Sequence, residues 1–356
     1  MAPRGIARSL SLGVALVTAL ATLGAAQASP ELVKLRIENV LKRAQFQRDL
    51  SRATRLRDRS MAAAEQADVH ITKLPKFGMK DAQADRMIGT AQRELDLLSE
   101  KPPTARRTAR IRTLKAQLAE YEAMPRTGPR TAAFVLVGTD QIYLRLDRKN
   151  ATPAMLANTM SHEMVHIRDL PKTTALWKAT SKDPSARHAY QAFLTDGETR
   201  AYGEGSRVGA RLGESPFGIG QPITDSNAPD HKLVQRSITD GYIRGVEEAM
   251  VARGLVGNTA ARRDLTASYL AGYRAGLPAV LEAREAWKLA NPPKEGIVAA
   301  VQTRINAWTG SVRRFFAVAM QPLHPIDGAD AAFAAGQADV THDLNPLSRI
   351  ARIVQL

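Results

Sequence analysis

His162, Glu163 and His166 form the pattern H-E-x-x-H, here His-Glu-Met-Val-His, which is the most chemically informative segment of the chain. On a helix, residues four positions apart lie on the same face, so both imidazoles can bind one metal ion. Imidazole is a common zinc ligand, and a carboxylate beside the two histidines can handle protons. The pattern therefore predicts a zinc site with His162 and His166 as ligands and Glu163 as general base. The alternative is a pair of hydrogen-bonded histidines in a helical core.

Local signals place this segment on a helix. Thr152 is a suitable N-cap residue, and Pro153 fits the first helical position, where no backbone N–H is needed. The stretch 153–169 holds regularly spaced apolar residues and no internal glycine or proline. Pro171 then predicts the end of the helix, because proline breaks the hydrogen-bond ladder of a helix interior.

Two short apolar runs precede this helix. Residues 134–137 and 142–147 are predicted strands, and the four residues between them suit a hairpin turn. The second run alternates apolar and polar residues, as a half-buried strand does. The predicted order of strand, turn, strand and helix is a scaffold on which an extended peptide can lie along a strand edge beside a metal ion.

A catalytic zinc ion usually has three protein ligands, so the third must come from later in the chain. The segment after His166 lacks the glycine and the third histidine of a metzincin. Glu198 is the leading candidate, because a predicted helix over 186–194 and a polar loop precede it and allow a second helix to pack back on the first. Thr195 and Glu198 also have the spacing of a capping box, in which the glutamate only caps a helix. The remaining candidates are Glu204, Asp169 and His188.

The chain resembles a gluzincin-type zinc metallopeptidase over residues 131–211. The resemblance rests on His-Glu-Met-Val-His at 162–166 and on Glu198 in an E-x-x-A setting that ends at Ala201. Many gluzincins continue this motif with an aspartate that orients a ligand histidine, and Tyr202 stands at that place here. The residues that could take this orienting role are Asp196, Asp169 and Tyr202. Gluzincins also use a tyrosine or histidine donor from a later segment, for which the candidates are Tyr242, Tyr269, Tyr273 and His231.

The predicted cofactor is Zn²⁺, and the predicted activity is hydrolysis of a peptide or protein substrate. A bound metal ion lowers the pKa of water from ~15.7 to about 7, so water can act as a nucleophile at neutral pH. Glu163 would take a proton from that water and pass it to the leaving amine. Two alternatives are a metallohydrolase that acts on a non-peptide amide bond and a non-catalytic envelope-binding protein.

The start of the sequence has the pattern of a secretory signal peptide. Residues 1–8 include Arg4 and Arg8, residues 9–24 are uncharged and largely apolar, and Ala26-Gln27-Ala28 predicts cleavage after Ala28. An uncleaved anchor is the alternative, but the apolar stretch is short for a membrane span. The pattern predicts a periplasmic or secreted protein. The chain has no cysteine, which excludes disulfides and thiolate ligands.

The formal net charge of +15 is concentrated early in the chain. A basic helical stripe is predicted from the spacing of Arg48, Arg52, Arg55 and Arg59, and an apolar stripe on the same segment from Val33, Ile37, Val40 and Ala44. The basic stripe is either a solvated helix face or a contact for an anionic envelope surface. Few aromatic residues lie nearby, so no specific nucleic-acid binding is predicted.

The predicted fold is mainly α with a small β segment, an α+β arrangement of the zincin type. The predicted organisation is a signal peptide over 1–28, a basic α-helical region over 29–130, a catalytic core over 131–213 and a helical region over 214–356 that completes the site. Within these regions the chain favours helices over 81–100, 104–124, 232–254, 259–276, 278–289 and 296–309. Residues 214–230 are predicted to form a loop, and the tail from 321 reads as irregular because of its prolines. The oligomeric state is not predicted.

Overall fold

The computed structural model describes residues 29–127, 132–136, 140–145, 151–215, 231–290 and 326–355. The predicted signal peptide, the helix predicted over 296–309 and most of the loop predicted over 214–230 lie outside these residues. Within them, the chain is mainly helical with a small β component, as the sequence predicts.

The helices are α1 (Pro30–Gln66), α2 (Asp81–Ser99), α3 (Ala105–Ala123), α4 (Pro153–Thr180), α5 (Ala186–Arg211), α6 (His231–Ala252), α7 (Ala260–Ala290), α8 (Ala329–Thr341) and α9 (Leu347–Gln355). The strands are β1 (Lys76–Lys80), β2 (Arg126–Thr127), β3 (Ala133–Val135) and β4 (Ile142–Arg145). Helices α2, α3 and α6 match their predicted bounds to within two residues. Strands β1 and β2 were not predicted, because β1 contains a glycine and begins and ends with lysine, and β2 has only two residues.

The chain divides into two compact units. Unit 1 comprises Met1–Arg52 and Phe77–Arg130, and unit 2 comprises Ala53–Lys76 and Thr131–Leu356. The core of unit 1 lies where α1, α2 and α3 meet and contains Leu32, Ala91, Leu95, Leu98, Leu114 and Leu118. In this unit, β1 and β2 form a short parallel pair.

Helix α1 buries a different face from the predicted apolar stripe. Leu32, Leu35 and Phe46 are buried, whereas Val33 and Ile37 of the predicted stripe are exposed. The basic stripe is solvent-exposed at each of its four arginines. This exposure fits a solvated face, and contact with an anionic surface stays a prediction.

In unit 2, β3 and β4 pair antiparallel and pack against α4. Phe134 and Tyr143 face each other across the pair and stack, with ring centroids 5.3 Å apart. The half-buried alternation predicted for β4 is wrong, because Ile142, Tyr143 and Leu144 are all buried. Both faces of this strand are therefore covered, which a periodic pattern in one strand cannot reveal.

Helices α4, α5 and α6 pack in chain order, and α7 packs along α8. A large cluster of buried side chains from α6 to α9 forms the main core of unit 2. Helices α5 and α6 approach so closely that a Cβ atom at Gly241 would lie 2.1 Å from the carbonyl oxygen of Gly203. Two hydrogen bonds join the same helices, from Ser237 to the Thr199 carbonyl and from Ser206 to the Ile238 carbonyl, both of 2.7 Å.

Two predicted helix boundaries and the predicted irregular tail are wrong. Pro171 lies inside α4, which continues to Thr180, and Pro278 lies inside α7, which joins the two helices predicted there. The tail is not irregular throughout, because α8 and α9 lie within it. Helix α4 packs along α5 and α7 packs along α8, and this packing outweighs the local cost of proline, which is about 3 kcal/mol in a helix interior. Among the residues that the structure describes, no helix combines the length and apolar character that a membrane span requires.

Candidate metal centre

Helix α4 begins as the sequence predicts. The Thr152 hydroxyl accepts a hydrogen bond of 3.0 Å from the Met155 backbone N–H, and Pro153 occupies the first turn. The buried side of the helix includes Leu156, Met160 and Met164. His162 and His166 lie one turn apart on α4 and remain partly exposed, with 16 % and 23 % of their side chains accessible.

Glu198 lies in the middle of α5 and not at a helix start. One continuous helix replaces the predicted helix over 186–194 and the polar loop after it, so the capping-box interpretation of Thr195 and Glu198 is wrong. Gly197 lies where α5 comes close to α4, since a Cβ atom there would be 3.3 Å from a carboxylate oxygen of Asp169. The Thr-Asp-Gly segment at 195–197 is therefore helical and lies where α5 contacts α4, and it forms no turn.

The structure brings the three predicted ligand side chains together. The Nε2 atoms of His162 and His166 are 3.2 Å apart. The Glu198 carboxylate approaches both, with Oε2 at 3.5 Å from His162 Nε2 and Oε1 at 3.4 Å from His166 Nε2. These three residues form a group whose potential ligand atoms all lie within 4.8 Å of one another.

The two Nε2 atoms and the Glu198 carboxylate, which meets each histidine through a different oxygen, are spaced on the scale that a tetrahedral zinc ion requires. Zinc binds histidine nitrogen and carboxylate oxygen at about 2.0–2.1 Å, so two ligand atoms at a tetrahedral angle lie about 3.3 Å apart. The three observed separations fall within about 0.2 Å of that value. Two imidazoles and one carboxylate also form a donor set found at catalytic zinc sites. The residues present therefore fit a zinc ion.

The other candidates for the third ligand have different partners. Glu204 pairs with Arg207 at 2.7 Å, and Arg207 also contacts Glu248. Asp169 accepts a hydrogen bond of 2.8 Å from Arg200. His188 lies on the exposed first part of α5, outside the metal-ligand group.

Glu163 is buried next to this group, with 6 % of its surface exposed. Burial raises the pKa of Glu163 to about 7, since a buried carboxylate loses hydration; the charge of His162 opposes the shift and that of Glu198 adds to it. A carboxyl group with a pKa near neutrality is suited to both accept and release a proton.

The histidines and Glu198 influence one another. Burial lowers the pKa of His162, but its hydrogen bond to Glu198 and the charges of Glu163 and Glu198 outweigh burial and raise it. Burial and the nearby charge of His162 lower the pKa of His166. Burial would raise the pKa of Glu198, but the two histidines outweigh it and keep the carboxyl ionised. The group thus presents an anionic oxygen and at least one neutral imidazole.

Tyr202 contacts His162 directly. The two rings meet edge to face, with centroids 4.7 Å apart and planes inclined at 78°. Tyr202 lies one turn after Glu198 on α5, so both residues reach the same histidine. Asp169, Asp196 and Tyr202 were the candidates for orienting a ligand histidine. Asp169 and Asp196 both form ion pairs with Arg200. Tyr202 is the candidate whose side chain contacts His162.

Arg200 is a residue of this region that the sequence analysis missed. It forms ion pairs with Asp169 of α4 at 2.8 Å and with Asp196 of α5 at 2.9 Å. The spacing of Asp196 and Arg200, four residues apart on one helix, was the available signal. This bridge joins α4 to α5 beside Glu198.

The four predicted donors from later segments lie elsewhere. The hydroxyls of Tyr242, Tyr269 and Tyr273 donate to the Glu214 carbonyl, the Asp339 carboxylate and the Leu344 carbonyl, and all three rings are buried in the main core of unit 2. His231 lies at the start of α6, where its ring nitrogen is 2.7 Å from the Gln235 amide nitrogen. The structure brings none of the four into the group formed by His162, His166 and Glu198 among the residues that it describes.

Comparisons with known protein families, with characterised proteins and with solved structures found no match to this chain. The case for a function therefore depends on the geometry and chemistry of this site.

Proposed function

We propose that the protein is an exported, zincin-like metallopeptidase that binds one zinc ion through His162, His166 and Glu198. The observation that carries the proposal is the convergence of the two Nε2 atoms and the Glu198 carboxylate, whose separations of 3.2, 3.5 and 3.4 Å suit tetrahedral zinc coordination. Glu163 of the same helical turn supplies the general base. The export part of the proposal comes from the signal-peptide pattern of residues 1–28.

Each residue has a defined task in this proposal. His162 and His166 donate neutral nitrogen, and Glu198 donates an anionic oxygen, which leaves one position of a tetrahedron open for water or substrate. The bound ion supplies Lewis acidity, which makes water a nucleophile at neutral pH and polarises a carbonyl group. Glu163 accepts a proton at its carboxylate and delivers it to the leaving amine.

The burial of Glu163 supports this task. Burial raises the pKa of this carboxyl group to about 7, a shift that an exposed glutamate would not show. The partial exposure of the two histidines and Glu198 leaves an approach for a substrate. The proposed substrate is a peptide, because the motifs at 162–166 and 198–201 resemble those of peptidases. The alternative substrate is an envelope amide, and substrate profiling would distinguish the two.

The deciding experiment uses Glu163→Gln in the full chain. Wild-type protein should contain one zinc ion and cleave members of a mixed peptide pool, and a chelator should remove both properties. The variant should retain stoichiometric zinc and lose cleavage, because the amide cannot accept the proton. Failure of the wild type to bind zinc would refute the proposal, and full activity of the variant would refute the role of Glu163. His188→Ala, on the exposed part of α5, is the matched control and should change neither property.

A further inference from the structure

Unit 1 contains a cleft between α1 and α3 that the proposed peptidase does not use. Its volume is about 320 Å³, which lies at the small end of the range for ligand sites. The polar lining includes Asn39 and Arg43 of α1 and Arg110 and Gln117 of α3, and Val40 and Ala44 add apolar surface.

The oxygens of a buried carboxylate beside this cleft already accept several hydrogen bonds. Glu94 is fully buried and accepts two hydrogen bonds from Arg110, of 2.7 and 2.8 Å, and one of 2.8 Å from the Asn39 amide. Arg36 stands farther off, with Nε at 3.6 Å from a Glu94 oxygen. These contacts hold Arg110 and Asn39 in fixed positions at the wall of the cleft.

Cations outnumber anions around Glu94. Burial lowers the pKa of Arg36, Glu94 opposes this, and the positive charges of Arg110, Arg106 and Arg107 lower it further. The Nε atom of Arg36 and the Nη1 atom of Arg107 are buried without a hydrogen-bond partner within the described part of the chain. The single carboxylate of Glu94 therefore lies among several guanidinium groups, and the net charge beside the cleft is positive.

The cleft also contains a polar group without a partner. Gln117 is 4 % exposed, and its buried Oε1 atom forms no hydrogen bond within the described residues. Arg43 lies at the exposed side of the same cleft. A guanidinium group and a carboxamide therefore line one cleft, and the carboxamide oxygen has no donor within the described residues.

We propose that this cleft binds a small organic anion, a molecule in which a carboxylate or phosphate group lies close to a hydrogen-bonding group. The anionic group contacts Arg43 and the remaining nitrogen of Arg110, and the neighbouring polar group bonds to Gln117. The carbon skeleton lies against Val40 and Ala44. This site is independent of the metal centre and is distinct from the exposed basic stripe of α1.

Calorimetric titration of the full chain at low ionic strength tests the proposal. The probes are glycerol 3-phosphate, N-acetylalanine, inorganic phosphate and uncharged glycerol. We expect one organic anion to bind with a stoichiometry of one, which identifies phosphate or carboxylate as the recognised group, and glycerol not to bind. Arg43→Gln should weaken that binding by about tenfold or more, because a charge-assisted hydrogen bond is lost.

Three further variants keep the test decisive. Arg48→Gln removes an exposed arginine of the same helix outside the cleft and should change the affinity less than about twofold, since exposed charges act weakly. Gln117→Leu should weaken binding of the organic anion, with folding checked by circular dichroism, and Gln117→Glu should weaken it further by repulsion. The proposal is wrong if no anion binds, if inorganic phosphate binds as tightly as the organic anions, or if Arg43→Gln and Arg48→Gln have equal effects.

Discussion

Tyr202 of α5 and His162 of α4 contact each other edge to face, with ring centroids 4.7 Å apart. His162 also meets the ring of His166, at 5.0 Å and 68°. The imidazole that would bind zinc is therefore held between two rings, and its plane is set by aromatic contacts.

Removing the Tyr202 ring should weaken metal binding. An edge-to-face pair contributes about 0.5–1.5 kcal/mol, so Tyr202→Ala should lower zinc affinity by roughly two- to tenfold, whereas Tyr202→Phe keeps the ring and should bind normally. Competition with a chromophoric chelator measures the affinity, and the absorption spectrum of the cobalt-substituted protein reports ligand geometry. Tyr190→Ala, on the same helix away from the site, is the control. Equal affinities for Tyr202→Ala and wild type would contradict this role.

Gly241 should be intolerant of a larger residue. A Cβ atom there would clash with the Gly203 carbonyl on α5, so Gly241→Ala must push α5 and α6 apart and should lower the free energy of unfolding by about 1–3 kcal/mol. Chemical denaturation measures this. In Gly89→Ala the new Cβ would meet only an arginine nitrogen at 3.7 Å, so that variant should be neutral or more stable by up to about 1 kcal/mol. A neutral Gly241→Ala would show that the two helices are less closely packed.

Glu204 should behave as a structural ion-pair residue and not as a ligand. The hydrogen bond from Arg207 lowers the pKa of Glu204 below its ordinary value of 4.5. The ion pair therefore stabilises the folded state fully when the pH is above 4.5, and this stabilisation is lost as the pH falls through the lowered pKa. Glu204→Gln should therefore lower the free energy of unfolding by about 1 kcal/mol at pH 7 and by less in acid. Its zinc affinity should equal that of the wild type. Thermal denaturation from pH 3 to 7, with zinc titration at pH 7, checks both; loss of zinc would restore Glu204 as a ligand candidate.

Arg349 should be essential for the stability of the α7–α9 region. It donates two hydrogen bonds, of 3.0 and 3.1 Å, to the buried Asp339, which also accepts one from the Tyr269 hydroxyl. Arg349→Met leaves a buried carboxylate without its cation and should cost about 3–5 kcal/mol of unfolding free energy. Arg352→Met, at an exposed position of α9, should have little effect. Similar melting temperatures for the two variants would rule out a stabilising role for the pair.

Local signals predicted the start of helix α4 and the spacing of its two histidines well. These signals are the N-cap at Thr152, the proline at 153 and the spacing of His162 and His166. Each depends on residues only a few positions apart, so the sequence reveals it without knowledge of the tertiary structure. Glu198 was found by its chemistry, but its position inside α5 was missed. The polar residues and glycine before it suggest a loop, and only the close approach of α4 explains why a glycine lies there in a helix.

Features that depend on tertiary packing were not predictable. Pro171 and Pro278 lie within long helices, each of which packs along a neighbouring helix. Tyr242, Tyr269 and Tyr273 resembled possible donors in the sequence, yet their hydroxyls bond within the core of unit 2. The cleft of unit 1 is formed by residues of α1 and α3 that are far apart in the chain.

All three ligand candidates lie between residues 162 and 198, within the single antiparallel hairpin formed by α4 and α5. Contacts that are close in sequence form early in folding, because little loop entropy is lost when they close. A metal ion captured by this hairpin would join the two helices before α6 to α9 have assembled, and its binding energy would act as folding energy. Metal supply could then limit the rate of maturation as well as the activity of the finished protein.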